Sequence, residues 1–261
     1  MDHSPLPKKS LGQHWLYEIY SLEAICEAAA VQAKDTVLEI GPGLGTLTTL
    51  LVDKAKQVVA VEFDEKLAKE LPRHIEASNL EIVSQDILSF DFSTMPTGYK
   101  VIANIPYYLT SNLIRVMSET ANPPQVAAIL VQKEVAQRVA AKPGAMSLLS
   151  VTAQFYWEVS LGEEVAAELF TPPPKVDSQI LVMHYRKHPI FKNVDPKSFF
   201  QLVKAGFSQR RKTLLNSLSG GLHIDKKALE EICAKSSIDP KRRAQTLSLD
   251  EWYDLYRALN P

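Results

Sequence analysis

Four consecutive residues, Asn104-Ile105-Pro106-Tyr107, follow an apolar run at 101–103 that reads as the end of a buried strand. An amide, a rigid imino acid and a large ring at such a place suit chemistry on the exocyclic amine of a nucleobase. The lone pair of that amine is delocalised into its ring, so the amine is a poor nucleophile. Two acceptors on its two N–H groups favour a pyramidal nitrogen with a localised lone pair. The Asn104 side-chain oxygen can be one acceptor and the Pro106 carbonyl the other. Ile105 precedes a proline and is biased to extended geometry, and the ring fixes φ at Pro106, so both oxygens are held in place. Tyr107 then offers a ring face to the base. Base–aromatic stacking contributes about 1–3 kcal/mol, which offsets much of the few kcal/mol needed to unstack a nucleotide. A nitrogen that has attacked an alkyl carbon is cationic and loses its proton easily. No strong general base is needed, and catalysis is mainly alignment. A plain turn whose tyrosine fills core explains the tetrapeptide, taken alone, equally well.

A second group lies upstream. Glu39-Ile40-Gly41-Pro42-Gly43-Leu44-Gly45 joins a strand-like segment to a helix-like one, and such a turn lets the backbone approach a ligand. A dinucleotide cradle needs GxGxxG or GxGxxA; here the third glycine comes one residue early and Thr46 occupies the expected position. The GxGxG spacing behind an acidic residue suits S-adenosylmethionine better, because that cofactor has no phosphate and lays its amino-acid tail over the turn. Glu62 ends the next strand and can accept from both ribose hydroxyls. Asp86 ends the strand after that and can take the adenine amine of the cofactor. Either acid alone reads as an ordinary loop residue; the order of glycine turn, acid and acid is what points to a nucleoside site.

The elements that must hold these residues alternate. Helical segments at 18–30 and 46–55, and strands at 36–41, 57–62, 80–86, 100–104 and 126–131, predict a parallel sheet. The segment from Asp64 is helical at its start and broken by Pro72, and Thr110 or Ser111 can cap the helix after the tyrosines. The expected class is α/β: a Rossmann-like methyltransferase sheet with helices on both faces, plus a small all-helical C-terminal domain. One more strand is expected at 179–185, then helices at 196–207, 210–218, 225–235 and 248–258, with breaks at Gly220–Gly221 and Pro240. The change of texture near His188–Pro189 separates residues 1–188, which hold the candidate catalytic residues, from an all-helical 189–261.

Bulk properties set outer limits. The chain has 261 residues, ample for a packed core, and 46% apolar composition. No run is long enough for a membrane helix, and the N-terminus lacks a secretion-type apolar core. Two distant cysteines, Cys26 and Cys233, argue against zinc or a disulfide framework and fit a reducing, cytoplasmic setting. Net charge is −1, but residues 191–261 carry +5 and residues 1–190 carry −6. A basic tail suits a polyanionic partner, and solvated helix faces explain it about as well.

Taken together, KKSLGQHWL (8–16), LEIGPGLGTLT, the Asn-Ile-Pro-Tyr block, LVQKEVAQRV (130–139), LFTPPPKVDS (169–178), FSQRRKTLLNSL (207–218) and RAQTLSLDEW (243–252) occur in an order that resembles the KsgA-type (RsmA) small-subunit rRNA adenine N6,N6-dimethyltransferases over almost the whole chain. The resemblance implies dimethylation of two adjacent adenines near the 3′ end of 16S rRNA, in small-subunit biogenesis, by a monomer using S-adenosylmethionine. It places His14, Leu16, Gly41, Gly43, Glu62, Asp86 and Asn104 around the cofactor. It sets Phe170 against the target adenine opposite Tyr107, where a plain reading makes Phe170 a loop anchor. It also suggests phosphate contacts for Lys8, Lys9, Arg210, Arg211 and Lys212, with Lys241, Arg242 and Arg243 as a further basic cluster. Trp15 stands where phenylalanine is usual and Tyr108 where asparagine is frequent. Both imply altered packing with unchanged chemistry. His14, in a slot often held by asparagine, reads as a polar contact and not a base.

Three other functions fit parts of the pattern. An Erm-type dimethylase of large-subunit rRNA shares the cofactor and target motifs, but the FTPPPKVDS loop and LSLDEW tail favour the small subunit. A ribosome-assembly factor that only binds has no need of the intact Gly41, Glu62, Asp86 and Asn104 set. A dehydrogenase is disfavoured by the glycine spacing.

Overall fold

A computed structural model describes residues 7, 12–188 and 190–260; Lys8 and Lys9 lie outside the described residues. The chain opens on a two-residue strand, β1 (Trp15–Leu16), and a helix, α1 (Ile19–Ala28). It continues as β2 (Thr36–Ile40), α2 (Thr46–Lys54), β3 (Gln57–Glu62), α3 (Glu65–His74), β4 (Leu80–Ser84), β5 (Lys100–Asn104), α4 (Thr110–Glu119), β6 (Val126–Gln132) and α5 (Lys133–Val139). Then come α6 (Leu148–Tyr156), β7 (Trp157–Val165), β8 (Phe170–Thr171), β9 (Ser178–Tyr185), α7 (Pro196–Phe207), α8 (Leu214–Leu222), α9 (Lys226–Lys235) and α10 (Leu249–Leu259).

The main sheet has strand order β4-β3-β2-β5-β6-β9-β7. The first five strands are parallel, and β9 runs antiparallel to β6. Val37, Val58 and Ile102 join Leu22, Ile25, Leu47 and Leu51 of α1 and α2 in one core cluster. Their strand neighbours Leu38, Val59 and Val101 are buried as well and point to the opposite face. Burial on both faces is what a doubly covered parallel sheet requires. The chain leaves β2 toward β3 and β4, then crosses back to β5, so strand order reverses between β2 and β5. Ligands of open α/β sheets bind in the crevice at that reversal.

Several local expectations need correction. Pro72 lies inside α3, which runs on to His74. The missing proline N–H costs one bond near the helix end, and Leu67, Ala68 and Leu71 bury the face that holds the helix in place. The third expected strand stops at Ser84 and not at Asp86, and two 3-10 turns, Ile87–Ser89 and Phe92–Thr94, precede β5. Neither Thr110 nor Ser111 caps α4, whose N-cap is Leu109 without a side-chain bond. The Thr110 hydroxyl instead donates to the Tyr107 carbonyl at 3.0 Å.

The chain divides into two compact units. One holds Met1–Ala136 and Glu158–Tyr185; the other holds Gln137–Trp157 and Arg186–Pro261. This differs from a single division after residue 188. Met146, Val151 and Phe155 pack with Phe199, Leu202 and Trp252 in the second core, so α6 belongs with the C-terminal helices. In that unit α8 begins at Leu214, capped by Thr213, and runs through Gly220–Gly221 to Leu222. Those glycines are not a break. A Cβ at Gly221 would lie 2.6 Å from the Ala205 Cβ, so glycine there permits close approach of α7 and α8.

In the first unit, Lys100 Nζ lies 2.7 Å from Asp35 Oδ2, with each side chain 11% exposed, and donates to the Ala30 carbonyl at 2.6 Å. Lys100→Met leaves Asp35 with no opposite charge in a largely dry place. Breaking a buried pair from one side costs about 3–5 kcal/mol. Urea titration is expected to show a clearly lower unfolding midpoint; an unchanged midpoint would mean that the pair contributes nothing.

Candidate active site

The turn after β2 has φ of +69° at Gly41, +58° at Gly43 and +84° at Gly45. Side chains rarely adopt these angles, which is why the strand-to-helix turn is glycine-rich. At Gly43 there is a second reason: a Cβ would lie 2.7 Å from Cζ3 of Trp15. Trp15 is held there by β1, which pairs antiparallel with β8, Trp15 opposite Thr171 and Leu16 opposite Phe170. The N-terminal motif and the proline loop therefore form one miniature sheet beside the glycine turn. Nothing in the sequence patterning announces this pairing, because two-residue strands carry no periodicity.

Two adjoining hollows open here. They share Gln13, Gly41, Glu62, Ile105 and Pro106 on their walls. The first also takes in His14, Leu16, Gly43, Asn104, Tyr107 and Phe170. The second takes in Asp86, together with Phe63 and Tyr108. All the described residues named above for the cofactor and target line one or other hollow.

Glu62 is 5% exposed. Its Oε2 accepts from the Gly43 amide at 3.0 Å and its Oε1 from the Asp64 amide at 2.8 Å. A carboxylate has about four lone-pair sites, so each oxygen retains one for a ligand hydroxyl. Burial raises its pKa, against the lowering effect of those two amides. Asp86 lies two residues beyond β4, exposed, with Oδ1 accepting from the Leu88 amide at 2.9 Å. Its other oxygen has no hydrogen-bond partner among the described residues.

Phe63 and Glu39 are among the lining residues to which sequence reasoning gave no site role. Phe63, directly after Glu62, is 61% exposed on the rim of the second hollow, where it offers a planar apolar face. Its position after a strand-end acid was the only available signal. Glu39, the acid before the glycine turn, is 1% exposed and lines the first hollow, and its Oε2 has no hydrogen-bond partner among the described residues. Burial, with the nearby Glu62 charge adding to it, pushes its pKa from about 4.5 up to about 8. A carboxyl whose folded pKa is raised contributes stability that is complete below the unfolded value and lost as pH rises toward the folded one. Stability should therefore decline between about pH 4.5 and 8. Glu39→Gln is expected to flatten that decline in thermal melts of the cofactor-free protein. An identical slope would remove Glu39 as its source.

At the target end, Asn104 is the last residue of β5 and borders the first hollow. Among the described residues no group hydrogen-bonds its side-chain amide. The Pro106 carbonyl accepts from the Leu109 amide at 3.0 Å and keeps its second lone pair. Tyr107 is half-buried; its hydroxyl lies 2.8 Å from Ser178 Oγ, and burial raises its pKa. His14 stacks on Tyr107 with centroids 6.1 Å apart and planes at 19°. Its Nδ1 lies 2.6 Å from the Pro172 carbonyl, a polar contact and not a proton-transfer pair. Phe170 is 3% exposed and packs with Leu16 and Ile180 in the core. It reaches the hollow but sits as the loop-anchor reading requires.

A family model described as ribosomal RNA adenine dimethylase matches residues 6–260. The chain belongs to the ribosomal RNA adenine dimethylase family. The resemblance drawn from the motifs agrees with this assignment. "Ribosomal RNA small subunit methyltransferase A" of Dehalococcoides mccartyi strain 195 is 41% identical over 249 residues, 94% of this chain and 86% of that one. The protein of the same name from Bacillus cytotoxicus is 39% identical, covering 97% and 91%. Among solved structures, a dimethyladenosine transferase from Plasmodium falciparum superposes with TM-score 0.79 at 25% identity over 95% of this chain and 98% of that one. The 23S rRNA methyltransferase ErmE gives 0.75 at 26% identity, over 95% and 100%. The fold is thus that of a Rossmann-like adenine dimethylase, a methyltransferase acting on ribosomal RNA. No helix among the described residues is long and apolar enough to cross a membrane.

Of the expected RNA contacts, Arg210, Arg211 and Lys212 belong to the second unit. Arg210, Arg211 and Lys212 are exposed in the turn between α7 and α8, and not in the helix as expected. The first turn of α8 donates to a second loop, Leu214 N to the Arg242 carbonyl at 2.6 Å and Leu215 N to that of Pro240 at 3.1 Å. Exposed Lys241 and Arg243 are carried on that neighbouring loop. Arg242 is different: its guanidinium pairs with Glu251 and donates to the Thr246 carbonyl, a bracing role within the unit.

Proposed function

We propose that this chain uses S-adenosylmethionine to dimethylate the N6 amines of two adjacent adenines near the 3′ end of 16S rRNA, as a monomer acting on the small ribosomal subunit during its biogenesis. The carrying observation is the Asn104 amide, bonded by no group among the described residues, at the reversal point of the sheet and followed by the stiff Pro106 turn. Relatives named for the small subunit and similar along nearly the whole chain favour that substrate over the large subunit. The likeness to ErmE is consistent with a shared fold and shared chemistry.

The residues present fit the cofactor. The glycine turn brings backbone close to a ligand, Glu62 keeps two acceptor sites for hydroxyls, Asp86 keeps one oxygen for an amine, and Phe63 and Tyr108 offer ring faces. The Glu39 carboxyl, whose Oε2 has no hydrogen-bond partner among the described residues, suits the ammonium of an amino-acid tail. When bound, S-adenosylmethionine supplies a methyl group whose carbon leaves sulfur as the amine nitrogen attacks it.

The chain's own part is to hold the amine. Asn104 Oδ1 accepts one N–H and the Pro106 carbonyl the other, so the lone pair is localised and aimed. Tyr107 supports the unstacked base. The proton released from the cationic product passes to water, and no side chain need take it. Removing water and fixing the approach supplies the rate, as in other reactions driven by orientation.

Labelled methyl transfer tests the reading. Incorporation is expected into undermethylated small subunits, at two adjacent adenines, with neither large subunits nor free RNA labelled comparably. Preferential labelling of large subunits would favour the Erm-type reading instead. Neutralising Arg210, Arg211 and Lys212 together is expected to weaken subunit binding and to flatten its dependence on salt, because each lost phosphate contact reduces the log–log slope by about 0.7–0.9. An unaltered slope would place them outside the interface.

A further inference from the structure

The Tyr107 ring is fixed from two sides, and both attachments reach the proline loop. Its hydroxyl meets Ser178 Oγ at 2.8 Å, at the loop's far end, where β9 begins. Its face meets the His14 ring, which in turn holds the Pro172 carbonyl near the loop's beginning. Ser178 is fully buried and paired opposite Gln132 in the β6–β9 ladder. Among the described residues the Tyr107 oxygen is the one side-chain partner of the Ser178 hydroxyl. A ring in a half-open hollow can otherwise rotate about two side-chain bonds. The hydroxyl pair removes that freedom and sets the ring plane relative to the Asn104–Pro106 turn.

We infer that Ser178 is a positioning residue for methyl transfer: its hydroxyl locks the Tyr107 ring in the plane that receives the target base. This deepens the proposed function and rests on Tyr107 being the face that the base meets. Ser178 lines neither hollow. It acts only through Tyr107, so its loss should slow the chemical step and leave the cofactor site intact.

The test compares Ser178→Ala, Tyr107→Phe and the double variant of the full chain, on undermethylated small subunits with saturating S-adenosylmethionine. Either single change deletes the same hydrogen bond while keeping the ring. Each is expected to lower the single-turnover rate by about tenfold or more, since small misplacements of aligned groups are costly, and the double variant should be no slower than the slower single. Cofactor affinity by calorimetry, the KM for subunits and the melting temperature should stay near wild type, a split that a merely structural loss would not give. A Ser178→Ala enzyme at full rate would overturn the inference. So would multiplicative losses in the double variant, or a slow Ser178→Ala beside a full-speed Tyr107→Phe. If Ser178→Ala fails to fold, Tyr107→Phe alone decides, because a full rate there refutes the role of the pair. Tyr107→Ala separates the two levels of the argument. If it retains full rate, the target-site reading itself fails. If it is inactive while both hydroxyl deletions are normal, only the role of Ser178 is lost.

Discussion

Asn104→Ala is expected to reduce adenine methylation by at least about a hundredfold, the scale seen when one preorganised hydrogen-bonding group is removed from a polar transition state. The alanine removes the side-chain acceptor at the end of β5, and the amine keeps its delocalised lone pair. The backbone loses nothing, because no described residue depends on the Asn104 side chain for a hydrogen bond. Subunit binding should therefore remain nearly intact. Primer extension across the two adenines reads methylation, and co-sedimentation reads binding. Full modification by the variant would refute the role of Asn104; loss of binding together with activity would mean a damaged fold.

Glu62→Ala has the second largest expected effect, a loss of more than about tenfold in cofactor affinity. A bidentate acceptor for two hydroxyls makes two charge-assisted bonds, each contributing about 1.5–3 kcal/mol. The same change also strips the Gly43 and Asp64 amides of their acceptor, so part of the loss comes from a loosened glycine turn. Glu62→Gln separates the two causes. Its carbonyl oxygen keeps the shape and one acceptor, so it should hold the turn better while still binding the cofactor weakly. Calorimetry showing unaltered affinity in both variants would remove Glu62 from the site.

What could be read in advance follows from how local each signal is. Asn104 and Glu62 were legible because each ends a buried apolar strand, and the strand itself marks the carboxyl edge of the sheet. The glycine turn was legible because three residues with positive φ leave little choice of side chain. Glu39 was visible as an acid before that turn, but not as a buried and unpartnered one; burial depends on α2 and β3 closing over it. The pairing of β1 with β8 joins segments more than 150 residues apart through two residues each. No pattern within either segment encodes it, yet it brings Trp15, His14 and Phe170 to the hollow. For the same reason α6 could not be assigned from its neighbours in sequence, since its partners are Phe199 and Phe200 of α7. Gly220–Gly221 misled because a pair of glycines signals a break only where no helix presses close; here Ala205 does.

Some basic residues changed meaning once their partners were visible. Arg242 stood in a cationic cluster by sequence, but a two-point pair with Glu251 and a bond to Thr246 give it a bracing role. Lys241 and Arg243 stay exposed on either side of it. Charge counting cannot make that distinction, because it depends on which acceptor lies within reach.

A crystal structure of the chain with S-adenosylhomocysteine and adenosine bound would examine the main claim most directly. Asn104 Oδ1 and the Pro106 carbonyl oxygen should each lie about 2.7–3.2 Å from N6 of the target base, with the base against Tyr107. An Asn104 side chain rotated away from N6 and bonded only to its own main chain would contradict the account.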